Sequence, residues 1–453
     1  MAHRRAGSGT VAALVGVNVA FAFQQTAIVP AIPAVQHDLH ASQEWSAWLL
    51  TGYLVASSVA TPLLGKLGDR HGRRRGLLWS LAGYLLASVG AALAPGIVPL
   101  IVFRSLQGLG GAIFPLTLSL ARDLLPQERL GRTIGMLTGA FGVGTAAGFG
   151  VSGVIVEALS WRYLFGVGAF IVAVALVALA RAPAVDEQTR PGRLDLPGTF
   201  LLAGGLSLEL VSLTEGVSRG FASPLVIGGF ALATLLLAAW VVVDLRVDDP
   251  LLDLHVLSHP AVLLTNVATL ALGYVLFGTY FLVPYLLENS GGGVSAGPVG
   301  AGLYLVPAAV GQAVAGPAAG RLADRVQPKW IVAAGMAAIG AASGLLAEWH
   351  GRPWQLVVWL FLLGAGAGAA LSVISDLVTE LVEQTESGAA TSLNSTLRRF
   401  SGGTGSQVDA LLLATMTVQP HTAANGAFVL AFGIGGGAAA AGAASALAIH
   451  PPE

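Results

Sequence analysis

The stretch GKLGDRHGRRR, Gly65 to Arg75, interrupts a chain that is otherwise strongly apolar. A weaker copy, GRLADRVQPK, runs from Gly320 to Lys329, with glycine at the same first position and Asp-Arg at the same offset. Each copy follows the second long apolar run of its half once two runs in the middle of the chain are set aside. A matched pair of this kind indicates an internal repeat, and repeated halves are typical of secondary transporters.

The composition indicates a membrane protein. Of 453 residues, 55% are hydrophobic and 10% are charged, and the mean hydropathy is +0.75. An ordinary soluble protein has about 25% charged residues. The net charge of −1 does not favour nucleic-acid binding, and the lack of cysteine excludes disulfides, thiolate metal sites and cysteine nucleophiles. We expect the apolar run after the N-terminal MAHRR to be retained as a helix, because it is too long for a signal peptide.

The chain contains fourteen apolar runs of the length that crosses a bilayer as a helix, about 20 residues. They are 9–34, 45–65, 76–95, 97–121, 131–157, 161–181, 196–216, 222–243, 260–287, 297–319, 329–348, 354–377, 388–416 and 425–449. We therefore expect an all-α, polytopic membrane protein with fourteen transmembrane helices. The expected domains are two pseudo-symmetric six-helix bundles, residues 1–182 and 251–453, separated by a two-helix insert with flanking linkers, residues 183–250.

The distribution of Lys and Arg predicts the orientation. Of 23 such residues, seventeen lie at the N-terminus or in alternate loops, three lie in the other loops and three lie inside the runs. Positively charged loops stay in the cytoplasm. We expect both termini to be cytoplasmic, in the cytoplasmic membrane of a bacterium; the excess of Arg over Lys hints at a GC-rich bacterial source.

The repeated loop is a candidate gating element on the cytoplasmic side. Its glycines are expected to form tight turns, and Asp69 is expected to pair with arginines or with helix N-terminal amides in a breakable latch. A simpler interpretation is that the charges only set the orientation. The candidate gating residues are Gly65, Asp69, Arg70, Gly72, Arg73, Arg74, Gly320, Asp324 and Arg325.

The motifs resemble those of the major facilitator superfamily, in particular its fourteen-helix drug:proton antiporter branch. GKLGDRHGRRR is similar to the loop signature of that superfamily, and RSLQGLGGA, Arg104 to Ala112, to its Arg-x-x-Gln-Gly motif. WSAWLLTGYLVA in the second run, WRYLF in the sixth and Arg398-x-x-Ser401-Gly402 also match, as do the two extra central runs. The resemblance implies multidrug or antibiotic efflux by alternating access, coupled to protons and without a cofactor.

Three departures from the family pattern bear on proton coupling. The family has an Asp in the first helix where this chain has Gln24, and an amide cannot titrate. The family's Gly-Pro in the fifth helix is replaced by Gly148-Phe149, which removes a kinking proline. The second loop copy also lacks most of the arginines. These departures keep open a transporter of the same fold without proton coupling.

Three arginines inside apolar runs need an explanation, because a charge at a helix centre costs about 2.5–3.5 kcal/mol on insertion scales. Arg104 is either a relay for protons or substrate, or a structural residue bonded to backbone carbonyls and Gln107. Arg398 and Arg399 point about 100° apart on a helix. We expect Arg398 to face a central cavity, and Arg399 to reach the cytoplasmic interface or pair with an acid.

The candidate proton carriers are few. Asp409 lies three helical turns beyond Arg398, and the alternative is that it is hydrated near the outer mouth. Glu209 in the first inserted run is expected to face a groove or bond internally. With Arg104, these are the proton-coupling candidates; Asp376 is more consistent with a solvated acidic helix end.

The other candidates are polar or aromatic side chains expected to line a substrate cavity. They are Gln24, Gln25, Gln107, Asn394, Arg398, Tyr274, Tyr280 and Trp48. His37 and His40 have ligand-like spacing, but an interfacial turn is favoured because no third ligand is near in sequence. No metal site is expected.

The sequence thus predicts a secondary exporter of amphipathic organic compounds, with the lipid bilayer, such a substrate and protons as partners, no nucleic acid, no cofactor, and a monomeric state. One alternative is a proton-uncoupled facilitator or a lipid or metabolite transporter of the same fold. An integral membrane enzyme is disfavoured, because no catalytic constellation is visible in the sequence.

Overall fold

The computed structural model describes residues 8–125, 127–182, 195–247, 250, 252, 254–288, 294, 296–382, 387–419, 422–423 and 425–449. The charged N-terminus and most of the first polar linker lie outside these ranges. Helices account for nearly all of the described chain, which confirms the all-α fold. A short antiparallel hairpin, β1 (Thr417–Gln419) and β2 (Thr422–Ala423), pairs Thr417 with Ala423.

The helices follow the predicted runs. Those before the insert are α1 (Ser8–Ala27), α2 (Ile32–Asp38), α3 (Gln43–His71), α4 (Arg73–Ala92), α5 (Ile97–Leu106), α6 (Ile113–Leu124), α7 (Gln127–Ala158) and α8 (Arg162–Arg181). The insert contains α9 (Leu196–Arg219) and α10 (Pro224–Asp244). After it come α11 (Pro260–Glu288), α12 (Pro298–Ala323), α13 (Pro328–Glu348), α14 (Pro353–Glu380), α15 (Ser387–Thr415) and α16 (Asn425–Leu447).

Two of the predicted segments are broken by short 3₁₀ helices. Val29–Ala31 joins α1 to α2, where Pro30 and Pro33 remove backbone donors. Gln107–Ala112 joins α5 to α6, within the glycine-rich part of RSLQGLGGA. The chain continues in the same apolar stretch after each break, so each pair fills one predicted segment.

Twelve helical stretches among the described residues are long and apolar enough to cross a membrane. The other two predicted segments, α4 and α15, are helices of 20 and 29 residues but are more polar. Helix α4 begins with three arginines, and α15 contains Arg398, Arg399 and Asp409. The count of fourteen membrane-crossing helices stays a prediction.

We call α1–α8 the N-terminal group and α11–α16 the C-terminal group. The neighbours within the two groups correspond: α1 packs on α7 as α11 packs on α15, and α4 packs on α8 as α13 packs on α16. Glycines permit the close approach. A Cβ at Gly144 would meet the Val19 carbonyl oxygen, and a Cβ at Gly405 would meet the Tyr274 carbonyl oxygen.

The two groups meet along two helix pairs, α3 with α15 and α7 with α12. Thr51 and Ser406 join their hydroxyls at 2.9 Å, and the Thr396 hydroxyl donates to the Ser58 carbonyl at 3.0 Å. The α7–α12 pair is held by glycine packing instead, because a Cβ at Gly153 would meet the backbone of Pro298. One contact therefore consists of exchangeable hydrogen bonds and the other of close backbone packing.

The inserted helix α9 covers the α3–α15 contact from one side. The Trp48 indole N–H donates to the Thr214 hydroxyl at 2.8 Å, and Leu210 lies beside Gly403. Helix α10 packs on α9 and is otherwise mostly exposed, since 17% of the residues in its most apolar stretch are buried. The insert is thus a part of the packed structure on its α9 side and presents α10 outward.

The first loop copy is tied to the ends of two other helices. Arg73 pairs with Asp69 at 3.1 Å and with Asp123 at the end of α6 at 2.7 Å. Arg74 donates to the carbonyls of Leu179, Ala180 and Ala182 at the C-terminus of α8, at 2.9–3.0 Å. Cations are stabilising at helix C-termini, where carbonyls lack partners.

The second copy repeats one of these ties. Lys329, at the same offset from Gly320 as Arg74 is from Gly65, donates to the Ile449 carbonyl just beyond α16 at 3.3 Å. In both groups a cation of the repeated loop thus caps the last helix of its group. Asp324 and Arg325 are exposed and form no ion pair among the described residues.

The expectation that the loop glycines form turns was wrong at Gly65 and Gly320. Both lie inside helices, α3 and α12, because these helices extend into the predicted loops. Gly72 alone of the named glycines has a positive φ, 100°, at the junction of α3 and α4. That backbone conformation favours glycine.

Candidate functional site

A polar network surrounds Arg104, inside the N-terminal group. Arg104 is fully buried and donates to the Leu49 carbonyl at 3.0 Å, the Gln25 carbonyl at 3.0 Å and the Gln107 side-chain oxygen at 2.7 Å. Its guanidinium also lies 4.5 Å from the centre of the Tyr53 ring. The cation is therefore solvated by carbonyls and an aromatic face, and none of these described partners is a carboxylate.

The network continues through Ser88 to Gln24. The Gln107 amide donates to the Ser88 hydroxyl at 2.7 Å, and the Gln24 amide donates to the same hydroxyl at 3.0 Å. Gln24 points at α8, since a Cβ at Gly168 would occupy the position of its amide oxygen. Gln24 and Gln107 thus lie in the packed interior of the N-terminal group, whereas the Gln25 side chain is partly exposed.

The geometry of this network matches the structural interpretation of Arg104. Each of its three nitrogen atoms donates to an oxygen atom. The acceptors belong to α1, to α3 and to the residue that follows α5, the helix that contains Arg104. A group that relays protons must change its bonds, and Arg remains protonated in proteins. The structure therefore favours a tie between three helices.

A second polar cluster lies inside the C-terminal group, around Asp409. The carboxyl is 2% exposed, its Oδ1 has no hydrogen-bond partner among the described residues, and its other oxygen lies against Gly278 of α11. Tyr274, Thr279 and Ser343 line a small cavity beside it. The alternative of a hydrated residue near the outer mouth is contradicted, because the described helices enclose Asp409.

The two adjacent arginines of α15 differ in their surroundings. Arg399 donates to the Ser57 carbonyl, the Thr61 hydroxyl and the Gly111 carbonyl, all in the N-terminal group. Arg399 therefore forms no ion pair with an acid among the described residues, and the alternative that it reaches the cytoplasmic interface stays a prediction. Arg398 is partly exposed, and its main chain packs on Gly273 of α11.

Two other cavity candidates are engaged in helix packing. Asn394 donates to Asn266 at 2.9 Å and to Thr269 at 2.6 Å, both in α11. Trp48 bonds to the insert, as described above. Both side chains are buried: Asn394 lies against α11, and Trp48 lies against α9. Both make hydrogen bonds to other helices in this structure, and their role as substrate-cavity residues stays a prediction.

Tyr280 joins the two groups. Its ring meets Phe149 of α7 edge-on, with centroids 5.2 Å apart, and also meets Phe277 at 5.9 Å. Phe149 occupies the position where the family has proline, and it is fully buried. An aromatic contact thus joins α7 and α11 at the position where the family has the kinking proline.

Glu209 lies on α9, in the row of residues that faces α10. Gly205 on one side of it packs on Leu237, and Ser212 on the other side packs on Gly229. The Glu209 side chain is partly buried, and no hydrogen bond to it is described. It is on a helix outside both groups.

A cavity of about 470 Å³ lies where the C-terminal ends of α2 and α11 meet. Gln36, His37, His40, Tyr285 and Glu288 contribute to its lining, and the Tyr285 hydroxyl donates to Gln36 at 2.6 Å across it. Its size lies in the range of small-molecule sites, about 300–1,000 Å³. The described residues contain no group of three His, Asp or Glu suited to a metal.

Sequence reasoning missed the hydroxyl residues of the α3–α15 contact. Thr51 and Ser58 are seven residues apart, as are Thr396 and Gly403, so each set lies on one helix face. This spacing of small polar residues, present in one helix of each half, is a signal that helices pack closely through side-chain hydrogen bonds.

Comparison with known proteins gives a consistent result. The model of the Major Facilitator Superfamily matches residues 14–406. The chain is 30% identical over 325 residues to a tetracenomycin C resistance and export protein of Streptomyces glaucescens, covering 70% of this chain and 59% of that one. It is 32% identical over 314 residues to a puromycin resistance protein of Streptomyces alboniger, covering 68% and 61%.

A lincomycin resistance protein of Streptomyces lincolnensis is 30% identical over 302 residues, covering 66% of this chain and 61% of that one. The chain therefore matches about three fifths of the length of these relatives.

Proposed function

The chain belongs to the major facilitator superfamily, and on that premise we propose that it exports amphipathic organic compounds by alternating access, in exchange for protons. It is a multi-pass membrane protein of a transporter family. The names of its relatives refer to antibiotic resistance and export, which supports an organic, drug-like substrate. The substrate itself is a matter for experiment, because one fold transports many solutes.

The proposed architecture has fourteen crossing helices, with α4 and α15 added to the twelve apolar ones. Both pack against neighbouring helices, and the polar residues Ser80 and Ser88 of α4 and Asn394 and Asp409 of α15 are buried there. The proposed moving parts are the N-terminal and C-terminal groups, and both termini are placed in the cytoplasm by the Lys and Arg distribution. We also propose a monomer, in the bilayer of a bacterial cytoplasmic membrane.

The observation that carries the proposed transport cycle is the nature of the contacts between the groups. Side-chain hydrogen bonds join Thr51 to Ser406, Gln36 to Tyr285, and Ser58 to Thr396 in both directions, and Arg399 donates three more to the N-terminal group. These bonds can break one at a time. Each such bond contributes only about 0.5–1.5 kcal/mol net. The two groups can therefore separate on one side without unfolding either group.

Proton exchange is supported by Asp409. It is a buried acid with no cation among its described hydrogen-bond partners, so loading and unloading of a proton changes the charge of the C-terminal group by one unit. Glu209 is the second candidate. Arg104 is the third, because each of its three side-chain nitrogen atoms already donates a hydrogen bond. An uncoupled facilitator remains the second candidate function, favoured by the amide of Gln24 where the family has a carboxyl.

A reconstitution experiment distinguishes these functions. Purified protein in liposomes would receive a panel of cationic, neutral and anionic amphipaths, and uptake against a concentration gradient would be measured with and without an imposed pH gradient. We expect accumulation of at least one compound only when the pH gradient is present. Equal rates with and without the gradient, ending at equal concentrations, would establish the facilitator, and no movement of any compound would contradict transport of this class.

A further inference from the structure

The small cavity beside Asp409 has three polar atoms without partners. They are Asp409 Oδ1, the Tyr274 hydroxyl and the Ser343 hydroxyl, each buried and each without a hydrogen bond among the described residues. They come from three helices, α15, α11 and α13. Buried polar groups are nearly always hydrogen-bonded in folded proteins, so three such groups around one cavity indicate a bound species.

The volume of the cavity limits what that species is. The space for a water-sized particle is about 10 Å³, close to the minimum of about 10–15 Å³ that one water needs. A buried water makes about three hydrogen bonds. One water can donate to Asp409 and accept from one hydroxyl, and its second proton can reach the other hydroxyl oxygen.

We propose that Asp409, one enclosed water and the hydroxyls of Ser343 and Tyr274 form a proton-binding site within the C-terminal group. The inference of a bound proton rests on this geometry, and its use for coupling rests on the proposed function. Asp409 binds the proton; Ser343 and Tyr274 are positioning residues that hold the water.

The groups that face Asp409 are consistent with a proton. Helix α11 contributes the Tyr274 phenol, α13 contributes Ser343, and α16 contributes Phe432, Ala431 and Gly435 to the cavity lining. Arg398 lies on the same helix but about 16 Å along it, by the rise per residue. The lining thus contains a single carboxylate and no cation.

A sodium ion is the competing ligand. Hard cations such as Ca²⁺ and Mg²⁺ bind six or more oxygens, and a bare alkali ion likewise requires a shell of oxygens. Here the cavity lining has one carboxylate and three hydroxyl side chains. This oxygen count favours a protonated carboxyl with one water.

Infrared difference spectroscopy tests the site directly and does not require transport. Purified full-length protein would be titrated between acidic and alkaline pH, and the carbonyl band of a protonated carboxylic acid would be recorded. We expect a band that is lost in Asp409→Asn. In Ser343→Ala and in Tyr274→Phe the band should move to higher frequency, because the acid loses a hydrogen-bonded water.

The matched control is Ser80→Ala, which removes a buried serine hydroxyl of α4 that donates to the Gly76 carbonyl at 2.9 Å. It should leave the band in place. Identical bands in wild type and Ser343→Ala would overturn the water-bridged site even if Asp409→Asn does not fold. Loss of the band on adding sodium chloride at constant pH, with potassium chloride as the comparison, would overturn it in favour of a sodium site.

The result separates the two proposals. A band with the expected shifts, in a protein that moves none of the tested compounds, would retain the proton site and contradict the exporter. Transport driven by a pH gradient without such a band would contradict the site and retain the exporter.

Discussion

At the residue scale, the buried arginines are explained by what solvates them. Arg104 and Arg399 each donate to main-chain carbonyls of other helices, and one acceptor of Arg399, Gly111, lies within the 3₁₀ stretch Gln107–Ala112. The fork of a guanidinium suits several acceptors at once, which the compact ammonium of lysine does not match. Arg104 ties three helices within one group, and Arg399 ties the two groups together.

We expect Arg104→Ala to lower the free energy of unfolding by about 3–5 kcal/mol, since it leaves Gln107 without its partner and creates a cavity. Thermal unfolding in detergent measures this, with Arg70→Ala as the control because Arg70 is exposed. A variant that unfolds like wild type but no longer transports would contradict the structural role and restore the relay.

The limits of sequence reasoning are clearest at Arg398 and Arg399. Their positions in an apolar run showed that each needs polar surroundings. The side that each one faces depends on how α15 is rotated against α3 and α11, and this rotation is fixed by glycines such as Gly402 and Gly405 packing on α11. Arg398 was assigned to the central cavity because it matches a family motif, whereas helix packing turns the Arg399 side chain toward the N-terminal group.

At the scale of elements, the repeated loop was recognised from its sequence but its contacts were not. The prediction of charge pairs holds for Asp69 and Arg73. The capping of α8 by Arg74 and of the residues after α16 by Lys329 depends on how the last helix of each group returns to the loop. No local pattern specifies that return, because it is a contact between residues more than 100 apart in sequence.

The two caps should differ in strength. Arg74→Ala removes three hydrogen bonds, and we expect it to lower stability by about 1–3 kcal/mol, whereas Lys329→Ala should lower it by about 0.3–1 kcal/mol. Thermal unfolding of both variants, beside the exposed neighbours Arg75→Ala and Arg325→Ala, measures the difference. An effect of Lys329→Ala as large as that of Arg74→Ala would show that the two caps are equally strong and would contradict this prediction.

The α7–α12 contact gives a prediction with a control on the same helix. A Cβ at Gly153 would meet the main chain of Pro298 and Val299, while a Cβ at Gly139 has open space. We expect Gly153→Ala to push the helices apart and reduce transport at least several-fold. Gly139→Ala should be neutral or slightly stabilising, because alanine is the better helix former by about 1 kcal/mol.

Rates of uptake into liposomes, with protein amounts matched, check this pair of variants. Equal rates for Gly153→Ala and Gly139→Ala would mean that close approach of α7 and α12 is not needed for the cycle.

At the scale of the whole molecule, the order of helices and the position of the insert could be predicted from the sequence. Apolar runs and charged loops are local signals, and the structure places helices over all fourteen runs. The role of α9 as a cover of the α3–α15 contact could not be predicted, since it depends on Trp48 and Thr214 meeting across 166 residues. Asp409 was found as an acid in an apolar run, but its enclosure required the positions of α13 and α16.

The chain contains no cysteine, so paired cysteines can test the motion of the groups without background. Thr51→Cys with Ser406→Cys joins the two groups where the hydroxyls are 2.9 Å apart. Oxidation should stop transport, and a reductant should restore it, because the cycle requires α3 and α15 to separate. The control pair, Asn18→Cys with Thr117→Cys, lies within the N-terminal group at 3.0 Å and should transport when oxidised. Full activity of the oxidised Thr51–Ser406 pair, with its disulfide verified by mass spectrometry, would rule out separation at this contact.

Export in exchange for protons can be tested in everted vesicles that contain the protein and hold an imposed pH gradient. A dye reports the gradient while cationic, neutral and anionic amphipaths are added one at a time. The account predicts that at least one compound dissipates the gradient, and that Asp409→Asn abolishes this effect while Glu209→Gln preserves it. Transport of a compound with no change in the gradient would contradict proton exchange and identify an uncoupled facilitator.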